Sequence, residues 1–267
     1  MSFSIAGKTA IVTGAANGIG LAVARHFADH GANVMFADMD EQRLVEEVGE
    51  NKEEGNIRYF AGDLREKLTI ANLLSATIDA FDTVDILVNG CRQVIRSDAL
   101  DPDDKSVETM LDQNLMTSLR LSQYVAKRMI KQAEGNEPGK QAGAIVNLSS
   151  IASRRSHPDL MAYSVSTAAL DQMTRAMAVA LAPHKIRVNA VAFGSVMSTS
   201  LQNMLKDHSE FRETIEDNTP LGRIAGPGEL AEAVQYLASE GSGFMTGQII
   251  TVDGGRTLVD PVAAPAH

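Results

Sequence analysis

The sequence predicts an α/β protein built on one doubly wound sheet of about seven parallel strands flanked by helices. Short apolar runs rich in β-branched residues alternate along the chain with longer segments of helical periodicity. Strands that are apolar almost throughout, separated by helices, are typical of a parallel sheet covered on both faces. With 267 residues, 44% of them hydrophobic, the chain can bury a substantial core. No break in composition indicates a second domain.

Each element of this sheet has its own signal, because strands show short β-branched runs and helices show a period near 3.6 residues. The strands are expected at residues 9–13, 33–37, 57–61, 85–89, 144–148, 186–192 and 249–252. The main helices are expected at residues 19–29, 68–81, 107–131, 162–182 and 227–239. We expect residues 1–256 to form a single domain, with a substrate lid at 195–226 and a solvated loop at 132–142. Residues 257–267 form a tail that is either loose or docked on a neighbouring subunit.

Composition excludes several classes of function. The net charge of −10 argues against binding to nucleic acid or to an anionic membrane, which requires clustered lysine and arginine. The chain has one cysteine, Cys91, so it has no intrachain disulfide and fits a reducing cytoplasm. Cys91 has no evident base partner and is interpreted as a packed small side chain. No long apolar segment and no His/Cys cluster is present, so neither a membrane span nor a metal site is expected.

A glycine-rich turn follows the first predicted strand and opens the first helix. It contains Gly14, Asn17, Gly18, Ile19 and Gly20 in a GxxxGxG spacing. Glycines allow the backbone to approach a pyrophosphate, and a helix N-terminus offers free N–H groups and a positive dipole. The turn therefore predicts a dinucleotide site in a Rossmann-type fold. The alternative is a glycine-rich turn that only caps the helix.

Asp38, at the end of the second predicted strand, indicates the cofactor. A carboxylate there accepts hydrogen bonds from both hydroxyls of an adenosine ribose and repels a 2′-phosphate. Asn17 and Met39 stand where a compensating cation would be needed. We therefore expect NAD rather than NADP, the alternative being an ordinary solvated aspartate.

Further motifs appear in a characteristic order. Asn114 lies on a predicted helix, and Ser150 precedes Tyr163 by 13 residues. With the glycine turn, these motifs resemble the short-chain dehydrogenase/reductase family over almost the whole chain. The resemblance implies an oxidoreductase that interconverts a secondary alcohol and a ketone, assembled as a homotetramer or homodimer. It also implies cofactor contacts beyond the glycine turn and Asp38, from Asp63, Leu64, Asn89, Gly90, Tyr163, Gly194 and Val196.

The implied mechanism combines hydride transfer with proton transfer. Tyr163 would be the acid in reduction and the base in oxidation, Ser150 would polarise the substrate oxygen, and Asn114 would hold a water in a proton relay. A free tyrosine has a pKa of about 10, which is too high for a good base near neutral pH. In the family a lysine four residues after the tyrosine lowers this pKa and binds the nicotinamide ribose.

This chain departs from the family pattern at three positions around that site. Thr167 replaces the lysine, so a hydroxyl that carries no charge stands where an ammonium is expected. Arg92 replaces the last glycine of the motif after the fourth strand, and Phe193 replaces a proline after the sixth. Three changes around one pocket indicate altered or abandoned chemistry.

Arg92 is a candidate to supply the missing charge. Its guanidinium could replace the ammonium or bind an acidic substrate, and the alternative is that it faces solvent and pairs with a carboxylate. Arg154 and Arg155 are rival cations, and His157 is interpreted as a loop residue.

Three functions remain open. The first is a working NAD-dependent oxidoreductase with an atypical proton relay. The second is a catalytically impaired NAD-binding protein that acts as a sensor, and the third is a subunit retained for assembly.

The predicted lid carries apolar residues at helical spacing that either pack on the core or face a moderately apolar substrate. These residues are Met197, Leu201, Met204, Leu205 and Phe211.

Overall fold

A computed structural model of the protein describes residues 3–49, 55–135, 139–260 and 262. Seven parallel strands form one sheet in the order β3-β2-β1-β4-β5-β6-β7, which confirms the predicted fold class. Every predicted strand is present, with bounds that shift by at most two residues. The strands are β1 (Thr9–Thr13), β2 (Asn33–Asp38), β3 (Ile57–Ala61), β4 (Ile86–Asn89), β5 (Gly143–Ser150), β6 (Ile186–Phe193) and β7 (Ile249–Val252).

Helices cover both faces of the sheet. They are α1 (Gly18–Asp29), α2 (Glu41–Val48), α3 (Lys67–Phe81), α4 (Ser106–Met110), α5 (Thr117–Gln132), α6 (Met161–Leu181), α7 (Thr199–Asp207), α8 (Glu210–Asp217) and α9 (Pro227–Ala238). The sequence pattern did not identify α2, because Leu44 is its only buried residue and the rest of the helix is mostly polar.

The long helix expected at 107–131 is wrong as one continuous α-helix. A π-helical turn at Leu111–Met116 separates α4 from α5. The extra residue in such a turn rotates the side chains that follow, and these turns frequently occur at functional sites. Asn114 lies in this turn and is 3% exposed. Periodicity alone cannot reveal one inserted residue, because apolar positions continue on either side.

The core has two halves, one on each face of the sheet. Alternate residues of a strand face opposite sides, so Val12 packs towards α1 and α9 whereas Ile11 packs towards α3 and α5. Both are fully buried. This double cover explains why the central strands are apolar almost throughout.

The strand order places a crevice between the ends of β1 and β4. From β1 the chain adds β2 and β3 on one side, then crosses to β4 on the other side. In open α/β sheets, ligands bind at this reversal, outside the carboxyl ends of the strands. The glycine turn follows β1, and Gly90 and Arg92 follow β4.

Two predicted segments lie partly outside the described residues. The loop expected at 132–142 includes residues 136–138, and the tail expected at 257–267 includes 261 and 263–267. Arg256–Leu258 form a 3₁₀ turn that spans the predicted boundary between domain and tail, and the Arg155 side chain donates to the Thr257 carbonyl. The boundary at residue 256 stays a prediction. Over the described ranges, none of the helices has the length and apolarity needed to cross a membrane.

Candidate active site

The glycine turn is built by close backbone approaches that only glycine permits. A Cβ on Gly20 would lie 2.1 Å from the Gly14 carbonyl oxygen, and a Cβ on Gly14 would lie 2.7 Å from the Gly90 carbonyl oxygen. Gly14 also adopts a φ of 69°, which side chains disfavour. The Thr13 hydroxyl accepts hydrogen bonds from the N–H groups of Gly90 and Cys91. The turn therefore joins the ends of β1 and β4 directly.

The N-terminus of α1 is open for a ligand. Its first residue is Gly18, and the Asn17 side chain makes no capping hydrogen bond to the first turn. A Cβ built on Gly18 would meet nothing closer than 4.0 Å. The first N–H groups of a helix lack intrahelical partners, and with the helix dipole they favour an anion such as a pyrophosphate. The residues at this turn, including Ile19 and Gly20, fit a dinucleotide phosphate.

Asp38 is held in place beside this turn. Its Oδ2 accepts from the N–H of Ala16 at 3.1 Å, and its Oδ1 accepts from the N–H groups of Met39 and Asp40. These bonds orient the carboxylate at the end of β2, where the adenosine ribose was expected. Since each carboxylate oxygen has two lone pairs, these bonds occupy both lone pairs of Oδ1 and leave acceptor capacity on Oδ2.

Four other residues expected to contact the cofactor are Asp63, Leu64, Asn89 and Gly90, and their side chains or backbone make contacts within the protein. The Asp63 carboxylate forms a two-point ion pair with Arg65, which holds the pKa of Asp63 below its usual range. Leu64 is buried in the core. The side-chain amide of Asn89 donates to Ser122 and Asn147 inside the protein, so this side chain braces the sheet rather than facing the crevice. A Cβ on Gly90 would lie 2.4 Å from the Thr13 carbonyl oxygen.

Ser150 and Tyr163 occupy neighbouring elements at the carboxyl edge of the sheet. Ser150 is the last residue of β5, is 8% exposed, and accepts from the N–H of Ala152 through Oγ. Tyr163 lies in the first turn of α6 and is 5% exposed. The 3₁₀ turn at Ile151–Ser153 packs against α6 and so links the two residues.

Asn114 ties the loop after β4 to the helices. Its Oδ1 accepts from the N–H of Gln93 at 2.8 Å, and its Nδ2 donates to the Gln93 carbonyl at 3.0 Å and to Ser166 at 3.3 Å. Its side chain therefore clamps one residue of the loop from both sides. Gln93 was not among the predicted site residues, and its sequence position carries no signal of this contact.

Thr167 does not face the crevice with its hydroxyl. The hydroxyl donates within its own helix, to the carbonyls of Tyr163 and Ser164, and the residue is 3% exposed. Threonine commonly bonds to the carbonyl four residues earlier in a helix. The Thr167 hydroxyl is therefore used within α6.

Arg92 meets Tyr163 instead. Its Nη1 donates to the Tyr163 hydroxyl at 2.9 Å, and its guanidinium carbon lies 4.2 Å from the centroid of the Phe193 ring. The rival cations are engaged elsewhere, since Arg154 donates to Thr251 and Arg155 to Thr257. His157 caps the 3₁₀ turn that precedes α6. Across the described ranges, Arg92 is the cation in hydrogen-bond contact with the Tyr163 hydroxyl.

The segment after β6 closes one side of the crevice. Gly194 donates its N–H to the Val252 carbonyl, and Val196 is buried and pairs with Ala225 at the far end of the lid. Within the lid, Leu205 is buried, whereas Met204 and Phe211 are 49% and 40% exposed. A groove of about 380 Å³ runs from Gly18 and α1 to the start of α7. The lid thus packs on the core through part of its apolar side and leaves the rest open.

Cys91 lies beside this site, in the loop that follows β4. Burial of the thiol raises the pKa of Cys91 to about 11, which keeps it protonated and unreactive near neutral pH. Among the residues the structure describes, no group of three His, Cys, Asp or Glu side chains is arranged to hold a metal ion.

Comparison with known proteins agrees with this geometry. Residues 14–257 match the family model described as enoyl-(acyl carrier protein) reductase. The chain is 33% identical to a 3-oxoacyl-[acyl-carrier-protein] reductase of Thermotoga maritima, with 94% of this chain and 98% of the relative covered.

Solved structures share the fold over nearly the whole chain. A short-chain type dehydrogenase/reductase from Mycobacterium marinum superposes with a TM-score of 0.82 at 30% identity, covering 97% of this chain and 98% of that one. A gluconate 5-dehydrogenase from Burkholderia cenocepacia in complex with NADP and tartrate superposes with a TM-score of 0.84 at 29% identity, with the same coverage. The chain therefore belongs to the short-chain dehydrogenase/reductase family of oxidoreductases.

Proposed function

We propose that this protein is an NAD(H)-dependent oxidoreductase that interconverts a secondary alcohol and a ketone by hydride transfer, with an atypical proton relay. One observation carries the proposal. A buried tyrosine capable of proton transfer lies at the same sheet edge as the β5 serine, beside a turn shaped for a dinucleotide phosphate. When bound, NAD⁺ would accept the hydride in oxidation and NADH would supply it in reduction.

The proton steps belong to the protein's own side chains. In oxidation, Tyr163 takes the proton of the substrate hydroxyl while the carbon-bound hydrogen leaves as hydride; in reduction, Tyr163 returns the proton to the oxygen. Ser150 holds the substrate oxygen by a hydrogen bond and stabilises the charge that develops there. Asn114 fixes the loop after β4 through Gln93.

The choice of NAD over NADP rests on charge. The N–H of Ala16 orients the Asp38 carboxylate at the end of β2, and a carboxylate beside an adenosine ribose would disfavour a 2′-phosphate. The nearby cations are already engaged, since Arg43 pairs with Asp40 at 3.3 Å and Arg65 pairs with Asp63. The relative from Burkholderia cenocepacia was solved with NADP, so the two cofactors must be compared directly.

The names of relatives narrow the substrate panel. One relative is called a 3-oxoacyl-[acyl-carrier-protein] reductase and another a gluconate 5-dehydrogenase. Both names describe a carbonyl or secondary alcohol on a carboxylate-bearing or thioester-bearing chain. We therefore begin with 3-oxoacyl thioesters and sugar acids, and we expect the lid at 195–226 to select among them.

One observation favours a second candidate, a catalytically impaired NAD-binding protein that serves as a sensor or an assembly subunit. Thr167 carries no charge, and its hydroxyl is used within its own helix. If nothing replaced the lost ammonium, the rate would fall by orders of magnitude, because about 1.4 kcal/mol of lost transition-state stabilisation is already tenfold. Assembly into a homotetramer or homodimer stays a prediction under either candidate.

Turnover and binding separate the candidates. The wild type and Thr167→Lys would be assayed for NADH oxidation on the panel, and NADH and NADPH affinities would be measured by calorimetry. Turnover by the wild type with tighter NADH binding supports the proposal. Turnover only by Thr167→Lys, with NADH bound by the wild type, supports the impaired binding protein. Absence of both turnover and NADH binding contradicts the proposal.

A further inference from the structure

We propose that Arg92 stabilises the ionised form of Tyr163 and so takes over the electrostatic role of the missing lysine, with Phe193 positioning its guanidinium. This inference rests on the proposed function, because it names the group that allows Tyr163 to act as the base. It assigns a role to two residues at which the chain departs from its family.

The contact itself has the geometry of a charge-assisted hydrogen bond. The distance from Arg92 Nη1 to the Tyr163 hydroxyl oxygen is 2.9 Å. The guanidinium is a donor without acceptor capacity, so it favours a phenolate, which can only accept, over a phenol. A cation within about 4–6 Å stabilises the ionised form of an acid, whereas the neutral hydroxyl of Thr167 cannot do so.

Phe193 holds the guanidinium in place. The Arg92 guanidinium carbon lies 4.2 Å from the Phe193 ring centroid, which is within the range of a cation–π contact. Phe193 is 3% exposed, so the ring is a fixed platform at the end of β6. Arg92 itself is exposed, and without this platform its long side chain would sample many rotamers. The Asn114 clamp on Gln93 fixes the backbone of the same loop one residue further along the chain.

The three departures from the family pattern thus form one contact unit. The residue that replaces glycine, Arg92, bonds to the catalytic tyrosine and stacks on the residue that replaces proline, Phe193. The residue that replaces lysine, Thr167, lies on the same helix as Tyr163 and turns its hydroxyl away from the crevice. Independent drift at three positions gives no reason for such an arrangement, whereas relocation of one positive charge does.

Other charged groups near Tyr163 do not offer this contact. Asp171 on α6 accepts from Ser149, Asp112 in the π-helical turn pairs with Arg120, and Arg187 of β6 is bound at the end of α9. The remaining charged or titratable groups on α6 and the elements packed against it, or directly beside those elements, are Arg175, Glu108, Asp159, His184, His157, Arg154 and Arg155. Within the part of the chain that the structure describes, none of these donates to or accepts from the Tyr163 hydroxyl.

Ultraviolet titration of tyrosinate tests the inference without any cofactor or substrate. The full chain contains four tyrosines, so the spectrum of the matching Tyr163→Phe protein is subtracted to isolate Tyr163. We compare the wild type with Arg92→Gln, Arg92→Lys and Phe193→Leu. Arg96→Gln is the matched control, because it removes the same charge from an exposed position in the same loop.

The expected result is a shift in the pH midpoint of the Tyr163 signal. Arg92→Gln raises the midpoint by about one pH unit, Phe193→Leu raises it by less, and Arg92→Lys and Arg96→Gln leave it close to that of the wild type. An unchanged midpoint in Arg92→Gln overturns the inference. So does a wild-type Tyr163 that fails to ionise before the protein unfolds in alkali. Because turnover is not needed, the result stands apart from failure of the proposed function.

Steady-state kinetics supply a second test, because an effect on kcat and an effect on KM indicate different roles for Arg92. Arg92→Gln should lower kcat about tenfold near neutral pH and recover as the pH rises, because each pH unit of midpoint shift corresponds to a factor of ten. A rise in KM at unchanged kcat would instead mean that Arg92 binds an acidic group of the substrate, and this overturns the inference.

Discussion

Replacement of Gly20 by alanine tests whether the glycine turn is as tight as the structure has it. Gly20 is buried in the first turn of α1, and an added Cβ would lie 2.1 Å from the Gly14 carbonyl oxygen and 2.6 Å from its carbon. Both distances are well inside the 3.0 Å below which real Cβ contacts essentially never occur. The obstacle is backbone, so no side-chain rotation relieves it, and α1 must move away from the turn.

The matched control is Gly228→Ala. Gly228 also lies in the first turn of a 12-residue helix, α9, but a Cβ there would meet nothing within 4 Å. Alanine improves helix propensity at both sites by up to about 1 kcal/mol. At Gly20 the overlap costs about 1–3 kcal/mol or more, so the two substitutions should change the free energy of unfolding in opposite directions.

Thermal unfolding and NADH binding measure the two effects. For a chain of this size, 1 kcal/mol corresponds to about 2–4 °C in Tm. We expect Gly20→Ala to lower Tm by up to about 8 °C. It should also weaken NADH binding at least about tenfold, because the helix N-terminus is displaced from the phosphate. Gly228→Ala should raise Tm slightly and leave binding unchanged. A Gly20→Ala protein as stable as the wild type, with the same NADH affinity, would refute the reasoning.

Two further predictions follow from the charged groups. Asp38→Ala should weaken NADH binding about tenfold and should narrow or reverse the preference for NADH over NADPH. Asp101→Ala, an equal charge change in an exposed loop, should do neither. Calorimetry with both cofactors measures these affinities, and unaltered selectivity in Asp38→Ala would count against the prediction. Arg223 and the N–H of Gly226 lower the pKa of Glu229 from 4.5 to about 2. A depressed carboxylate pKa stabilises the folded state above 4.5, and this contribution is lost as the pH falls towards 2. The Tm difference between the wild type and Glu229→Gln should be small, because the Arg223–Glu229 ion pair is exposed. This difference should vanish as the pH falls, and a difference that does not depend on pH would contradict the lowered pKa of Glu229.

Much of the fold was predictable, because the buried strands and the packed helices carry strong periodic signals. The exceptions have physical causes. Helix α2 buries only Leu44, so its sequence shows little apolar periodicity. Its N-cap aspartate, Asp40, is a weaker signal of a helix than an apolar face would be. The π-helical turn that carries Asn114 depends on one inserted residue, which local propensity does not reveal.

The sequence predicts which residues belong to the candidate active site better than it predicts which of them are in contact. The spacing from Ser150 to Tyr163 and the glycine turn are local features that a sequence displays directly. The choice among Arg92, Arg154 and Arg155 depends on which strand ends lie together and on where each long side chain is held. Likewise, the direction of the Thr167 hydroxyl depends on hydrogen bonds to carbonyls of its own helix, and the sequence alone does not indicate this direction.

The central claim is that Tyr163 performs the proton step of an NADH-dependent reduction in this chain. The most direct measurement is the rate of NADH oxidation by the wild type and by Tyr163→Phe, at saturating NADH, on the same 3-oxoacyl thioester or keto sugar acid. Phenylalanine keeps the ring and removes only the acidic hydroxyl. The account predicts wild-type turnover that falls about a hundredfold or more in Tyr163→Phe with NADH affinity largely retained. Equal turnover by the two proteins would contradict it.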